Sequence, residues 1–346
     1  MVDLYNIPND NHDDFRLKKF VEYQHAVPEI HFRFLGEYIK AHKLSFDDVI
    51  LICWLLSVTY NEITVLFLMD FIKNKITDYG QFWIEYKDRL NFGSAKKYNK
   101  NNDLFPILMQ DFNKETNGKY WEWVEKFITK DSVQTYKNIH NGVEKINNVG
   151  RFSADLFLET IVYLKDYLGM NVSEPFELDW KHCANLTSGI YNIFYEDEKA
   201  NEYDKTGFIE AGAEKFLTEK LKVIQEKIGE TYPEQDNEVV MFIGKICSFR
   251  NLFKNARYAG FHHDRELGVI RQYEQLFTEY QELWNECYQI RKDIFPNRFL
   301  GELHGWNGIR SERKKYWLKY GLTCAEENID DLIPKINEVN FGLFEV

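Results

Sequence analysis

An all-helical fold is what this sequence predicts, and three observations carry the prediction. Apolar residues recur at spacings of three and four along most of the chain. Alternating, strand-like patterns are scarce. The seven prolines, at 8, 28, 106, 175, 233, 296 and 334, fall between periodic segments instead of inside them.

The elements follow in order. Segment 28–41 is periodic. Ser45 then reads as an N-cap, with Asp47 and Asp48 in the first turn, where the helix dipole favours negative charge. A buried helix runs on through Leu56, and another begins near Asn61 and ends at Ile72. The polar stretch 91–104, rich in Lys and Asn, is expected to be a mobile loop. Helical spacing returns over 119–128, 132–140, 151–168, 180–195, 206–228, 236–249, 265–291 and 308–320. The acidic stretches 196–205 and 229–238 read as connectors. The second divides a helical core, residues 1–230, from a C-terminal helical extension, residues 231–346.

Composition bounds the function. With 43 Lys and Arg against 55 Asp and Glu, the net charge is −12, which argues against a protein that coats nucleic acid by neutralising phosphates. A local basic groove remains compatible with it, because the field at a cleft follows the distribution of charge. The five cysteines, at 53, 183, 247, 287 and 324, make no CxxC pair, so no zinc or iron–sulfur site is expected. No cofactor is called for. The longest apolar run, Val49–Val58, is too short for a bilayer, and a cytoplasmic protein with no membrane partner is expected.

The most informative stretch is Ile146-Asn147-Asn148-Val149-Gly150-Arg151-Phe152-Ser153-Ala154, followed by an apolar helix. A short turn feeding a helix through Gly150 presents backbone N–H groups that can hold a phosphate oxygen. Asn148 tolerates a left-handed backbone, and Arg151 can add charge. A plain helix start explains the same residues.

This stretch resembles the hairpin of helix-hairpin-helix DNA glycosylases of the endonuclease III type, commonly LPGVGRKTA. Val149, Gly150, Arg151 and Ala154 match, and Ile146 and Ser153 are conservative. Asn147 and Asn148 replace Pro-Gly. Phe152 replaces the lysine that bifunctional members use as a Schiff-base nucleophile, which removes imine chemistry at that position. The segment Val49–Asn61 is similar to the family's buried helix ending in LLSAQAT, which places Thr59 and Asn61 beside an extruded base. Asp179, in a loop after Pro175, matches the placement of the family's catalytic aspartate, although the interval from the hairpin is longer. Capping a helix that starts at Trp180 is an equally ordinary role for it. The resemblance covers roughly residues 45–200 and implies a hairpin that binds DNA through Asn147, Asn148, Val149, Gly150, Arg151 and Ser153.

Residues 247–265 form the densest basic and polar cluster in an acidic chain. Arg250, Lys254 and Arg257 share a helix face, and His262, His263, Asp264 and Arg265 open the next helix. Such a set suits a phosphate or pyrophosphate. A metal held by His262, His263 and Asp264 ranks lower, since adjacent helical residues rarely converge on one ion. A solvated face with ordinary ion pairs competes with both. Arg310 and Arg313, after a glycine-rich turn, can meet an anionic substrate.

The stretches YAGFHHDREL and GELHGWNGIR resemble the bacteriophage alpha-glutamyl/putrescinyl-thymine pyrophosphorylases, amino acid:DNA transferases of thymine hypermodification. That resemblance implies double-stranded DNA carrying pyrophosphorylated 5-hydroxymethyluracil as substrate, in the host cytoplasm. An amino acid or polyamine amine would displace pyrophosphate, with His262, His263, Arg257 and Arg265 at the leaving group and Asp179 at the amine. Two other readings stand beside it. One is a monofunctional glycosylase excising a modified or damaged base. The other is a non-enzymatic helical module that binds DNA or protein.

Overall fold

In a computed structural model, the described residues are 14–26, 29–74, 78–175, 178, 180, 183–207, 209–234, 238–253 and 261–294, and helices with no strand among them form the architecture. The chain divides into two units, each discontinuous in sequence, where the sequence reading expected one boundary near residue 230. One comprises Ile30–Pro175 and Val269–Ile290; the other comprises Met1–Glu29, Phe176–Gly268 and Arg291–Val346.

The unit containing residues 30–175 is built around a helix apolar on every face. It holds α2 (Ile30–His42), α3 (Phe46–Thr59), α4 (Glu62–Asn74), α5 (Tyr79–Tyr86), α6 (Lys97–Asn101), α7 (Leu104–Thr116), α8 (Tyr120–Glu125), α9 (Ser132–Glu144), α10 (Arg151–Tyr163) and α11 (Lys165–Leu168). Ser45 caps α3 as its sequence predicts, its hydroxyl accepting from the Asp48 N–H at 3.3 Å. Every residue of α3 from Val49 to Thr59 is buried, and α4, α8 and α10 pack around it. Trp54 stacks on Phe112 at 4.1 Å.

Helix α3 ends at Tyr60, which adopts a left-handed φ of 51°. Its last carbonyls need donors, and the segment expected to be a mobile loop supplies them. The Gly93 N–H donates to the Thr59 carbonyl at 2.8 Å, and the Asn99 amide donates to the Val58 carbonyl at 2.7 Å. The approach at Gly93 is so close that a Cβ there would lie 2.2 Å from the Tyr60 oxygen. The segment is therefore ordered into a 3-10 turn, Ser94–Lys96, and the short helix α6, with Lys96 and Asn99 buried.

The helix expected over 265–291 is two. Helix α16 (Phe261–Leu276) stops, a 3-10 turn covers Thr278–Tyr280, and α17 (Gln281–Ile294) follows. Aromatic packing breaks it: the Phe277 and Tyr280 rings lie 4.4 and 5.2 Å from the Phe67 ring, and the Trp284 indole donates to the Phe277 carbonyl at 2.9 Å.

In the other unit, α12 (Ala184–Ile193) packs against α13 (Asp197–Thr206) and α15 (Val239–Phe253), while α1 (Asp14–Ala26) lies against α14 (Ala213–Thr231) and α15. Gly189 lets α12 meet α15, since a Cβ there would stand 2.6 Å from Ile246 Cγ2. The acidic stretch expected as a connector over 196–205 is α13 instead. Its charges have partners: Arg16 forms a fork to both Asp197 oxygens, at 2.7 and 3.0 Å, and Arg250 pairs with Asp204. Among the described residues no helix is long and apolar enough to cross a membrane.

Candidate functional site

The hairpin between α9 and α10 begins with a capped helix. Asp131 accepts from the Gln134 N–H at 2.8 Å and starts α9. After α9 the chain anchors at buried Ile146, whose carbonyl accepts from the Val149 N–H at 3.2 Å. Asn148 takes a φ of 62°, a conformation its residue type tolerates. Gly150 is the N-cap of α10, with no side chain bonding to the first turn, and a Cβ added there would meet nothing within 4 Å. Asn147, Asn148 and Gly150 are exposed, Val149 and Arg151 are half-buried, and Ser153 is buried. Arg151 lies 3.9 Å from Asp155, which also receives His140 Nε2 at 2.8 Å.

Beneath this turn sits a residue that sequence reasoning passed over. Lys96 is 0% exposed and hydrogen-bonds through Nζ to the Ser153 hydroxyl. No carboxylate pairs with it among the described residues. Its amine lies 4.6 Å from the centre of the Phe152 ring and 5.8 Å from that of Tyr98. Burial lowers its pKa from 10.5 to about 7, with the charge of Asp155 acting in the opposite sense. A lysine amine in this state is a base or nucleophile near neutral pH, unlike a surface ammonium.

A second buried group lies along the same line of side chains. His31 Nδ1 and Glu62 Oε2 are 2.6 Å apart, and Glu62 is 0% exposed, its Oε1 lacking a hydrogen-bond partner among the described residues. The His31 ring lies 4.7 Å from Tyr60, and Tyr60 meets Phe152 edge-on at 6.1 Å. Glu62, His31, Tyr60, Phe152 and Lys96 thus form one continuous contact path within a single unit. The only sequence-level signals for these residues were a histidine and a glutamate inside otherwise apolar runs, and the mixed basic and aromatic stretch 96–100.

Thr59 and Asn61, expected beside a base, are both buried at the α3–α4 junction. The Thr59 hydroxyl donates to the Leu55 carbonyl at 2.7 Å. The Asn61 side-chain oxygen accepts from the Thr64 N–H at 2.9 Å and its hydroxyl at 2.8 Å, so it caps α4.

Of the C-terminal cluster, His262 and Arg265 are half-buried on the first turns of α16. Arg265 Nε donates to Glu266 at 2.7 Å. Arg250, read as part of the basic face, is engaged by Ser188 at 2.9 Å, Asn185 at 2.8 Å and Asp204. Asp179, Arg257, Arg310 and Arg313, and the side chains of His263 and Asp264, lie outside the described residues. Among the described residues no group of three or more His, Cys, Asp or Glu could hold a metal ion.

Comparisons with protein-family models, with curated proteins and with solved structures found no match to the chain.

Proposed function

We propose that this chain is a DNA base-modifying enzyme. It transfers an amine, from an amino acid or a polyamine, to the methylene carbon of pyrophosphorylated 5-hydroxymethyluracil and releases pyrophosphate. The observation that carries the DNA part is the α9–α10 turn: it is exposed, left-handed at Asn148, and open for 4 Å around the Cβ position of Gly150. A phosphate oxygen can approach the α10 N-terminus there, and no residue beyond its immediate chain neighbours crowds Gly150. Anchored by the backbone, the duplex would present an extruded base to the enzyme.

The amine-transfer part rests on the resemblance of the two C-terminal stretches. A carbon–nitrogen bond forms, the carbon–oxygen bond to pyrophosphate breaks, and the amine loses a proton, for which Asp179 is the proposed acceptor. Arg257, Arg265, Arg310 and Arg313, with His262 and His263, are the proposed partners of the leaving group. His262 and Arg265 are three residues apart on α16 and so lie on the same side of the helix. The test is incubation with DNA carrying the pyrophosphorylated base and candidate amines, followed by digestion to nucleosides. An amine adduct with matching pyrophosphate release supports the reading, and retention of the ester with every amine overturns it.

One observation favours a second reading, a monofunctional glycosylase. The buried Glu62 carboxylate, held by His31, is a group of the kind that activates water. Abasic sites in DNA bearing damaged bases would support it.

A further inference from the structure

Tyr98 and Phe152 are two of the few large apolar side chains in the described residues that remain exposed, at 43% and 48%. They come from segments far apart in sequence, α6 and the first turn of α10. Lys96 joins them, because its amine lies over both rings while bonding to Ser153. Each ring has a face toward that amine and keeps much of its surface toward water. A lysine is a costly strut for two aromatic rings, since a hydrocarbon would hold them without desolvating an amine.

Along these segments cationic, neutral and acidic groups mix, and exposed Glu144 lies 3.5 Å from His140. Lys97 and Lys145 are exposed, Asn147 and Asn148 line the turn, and Arg151 is half-buried. The nearby carboxylate, Asp155, is occupied by His140 and Arg151.

We propose that Tyr98 and Phe152 form a stacking seat for one unpaired nucleobase of a DNA strand whose backbone is held at the Asn148–Arg151 turn. The inference rests on the DNA reading above and goes beyond it by naming the residues that contact a base. Stacking on an aromatic face is tolerant of base identity, so the seat recognises an unstacked base as such. Lys96 lies over both rings, and an approaching phosphate favours protonation of its amine and strengthens its attraction to both.

The experiment uses the full chain and two duplexes of identical length, one fully paired and one containing a single unpaired 2-aminopurine. Fluorescence anisotropy gives both affinities, and 2-aminopurine emission reports stacking. The wild-type protein should prefer the unpaired duplex and quench the probe. The Tyr98→Leu/Phe152→Leu double variant keeps apolar bulk at two exposed positions, and its melting curve verifies folding. It should bind the paired duplex as before and lose the preference by about tenfold, with the probe unquenched. Equal preference and equal quenching in the variant would overturn the stacking seat while leaving DNA binding intact. Absence of any DNA binding by the wild-type protein would overturn the DNA reading itself, and the seat with it.

Discussion

Lys96 and Ser153, 57 residues apart in sequence, are bonded in the interior, and through this bond the ordered 91–104 segment braces the first turn of α10. The bond brings a buried amine to the base of the exposed hairpin. It also gives the most distinctive pH dependence in the described residues.

Burial holds the folded Lys96 amine near 7, while the unfolded value is 10.5. As pH falls from the unfolded value toward 7, the unfolded chain takes a proton that the folded chain does not, so stability declines across that window. Below the folded value both states carry the proton and the full penalty is present. Lys96→Met removes the penalty but strands the Ser153 hydroxyl. It should raise stability at pH 7 by about 1–3 kcal/mol, with the gap closing toward pH 10. Chemical denaturation across this pH range checks it, and parallel curves for the two proteins would contradict the assignment.

Gly150 can be replaced without crowding its neighbours, since a Cβ there meets no atom within 4 Å. Gly150→Ser supplies a good N-cap, so the melting temperature should hold or rise slightly. The same hydroxyl occupies the N–H groups proposed for phosphate, and DNA affinity should fall about fivefold or more. A variant that binds DNA as tightly as the parent would place the contact elsewhere.

Glu62→Gln keeps the shape of the His31 contact and removes the charge. Because the pair is 2.6 Å apart and buried, the change should cost about 1–3 kcal/mol. If base excision is the true activity, abasic-site formation should also vanish while DNA affinity stays constant. Amine transfer surviving in this variant would assign Glu62 a purely structural part.

Arg250 is half-buried and engaged by Ser188, Asn185 and Asp204 of its own unit. Arg250→Ala removes the bonds to Asp204, Asn185 and Ser188 and should destabilise the protein by about 1–3 kcal/mol. The salt dependence of DNA binding should not change, since this arginine is engaged by its own neighbours. A shallower salt slope would show that it reaches phosphate after all.

What could be read from the sequence is what is decided within a few residues. Ser45 caps α3 because a hydroxyl at that position reaches the Asp48 N–H whatever the rest of the chain does. Asn148 takes a positive φ because its own side chain permits it. The apolar length of α3 marked it as buried, and the hairpin stood out through glycine, asparagine and a following apolar helix. The sequence itself thus determined the helical class, the central helix and the place of the turn.

Only the tertiary structure decided the rest. Lys96 looks like a solvated loop lysine until the α3 carbonyls draw the 91–104 segment inward and Ser153 arrives from α10. The break after Leu276 depends on rings at Phe67 and Trp284, and α13 depends on Arg16 and Arg250 meeting its acids. Arg250 itself turned from a surface cation into a structural one on the same grounds. In each case the partner is remote in sequence, and the burial of a polar group or the stacking of a ring is an energy that exists only once both sides have come together.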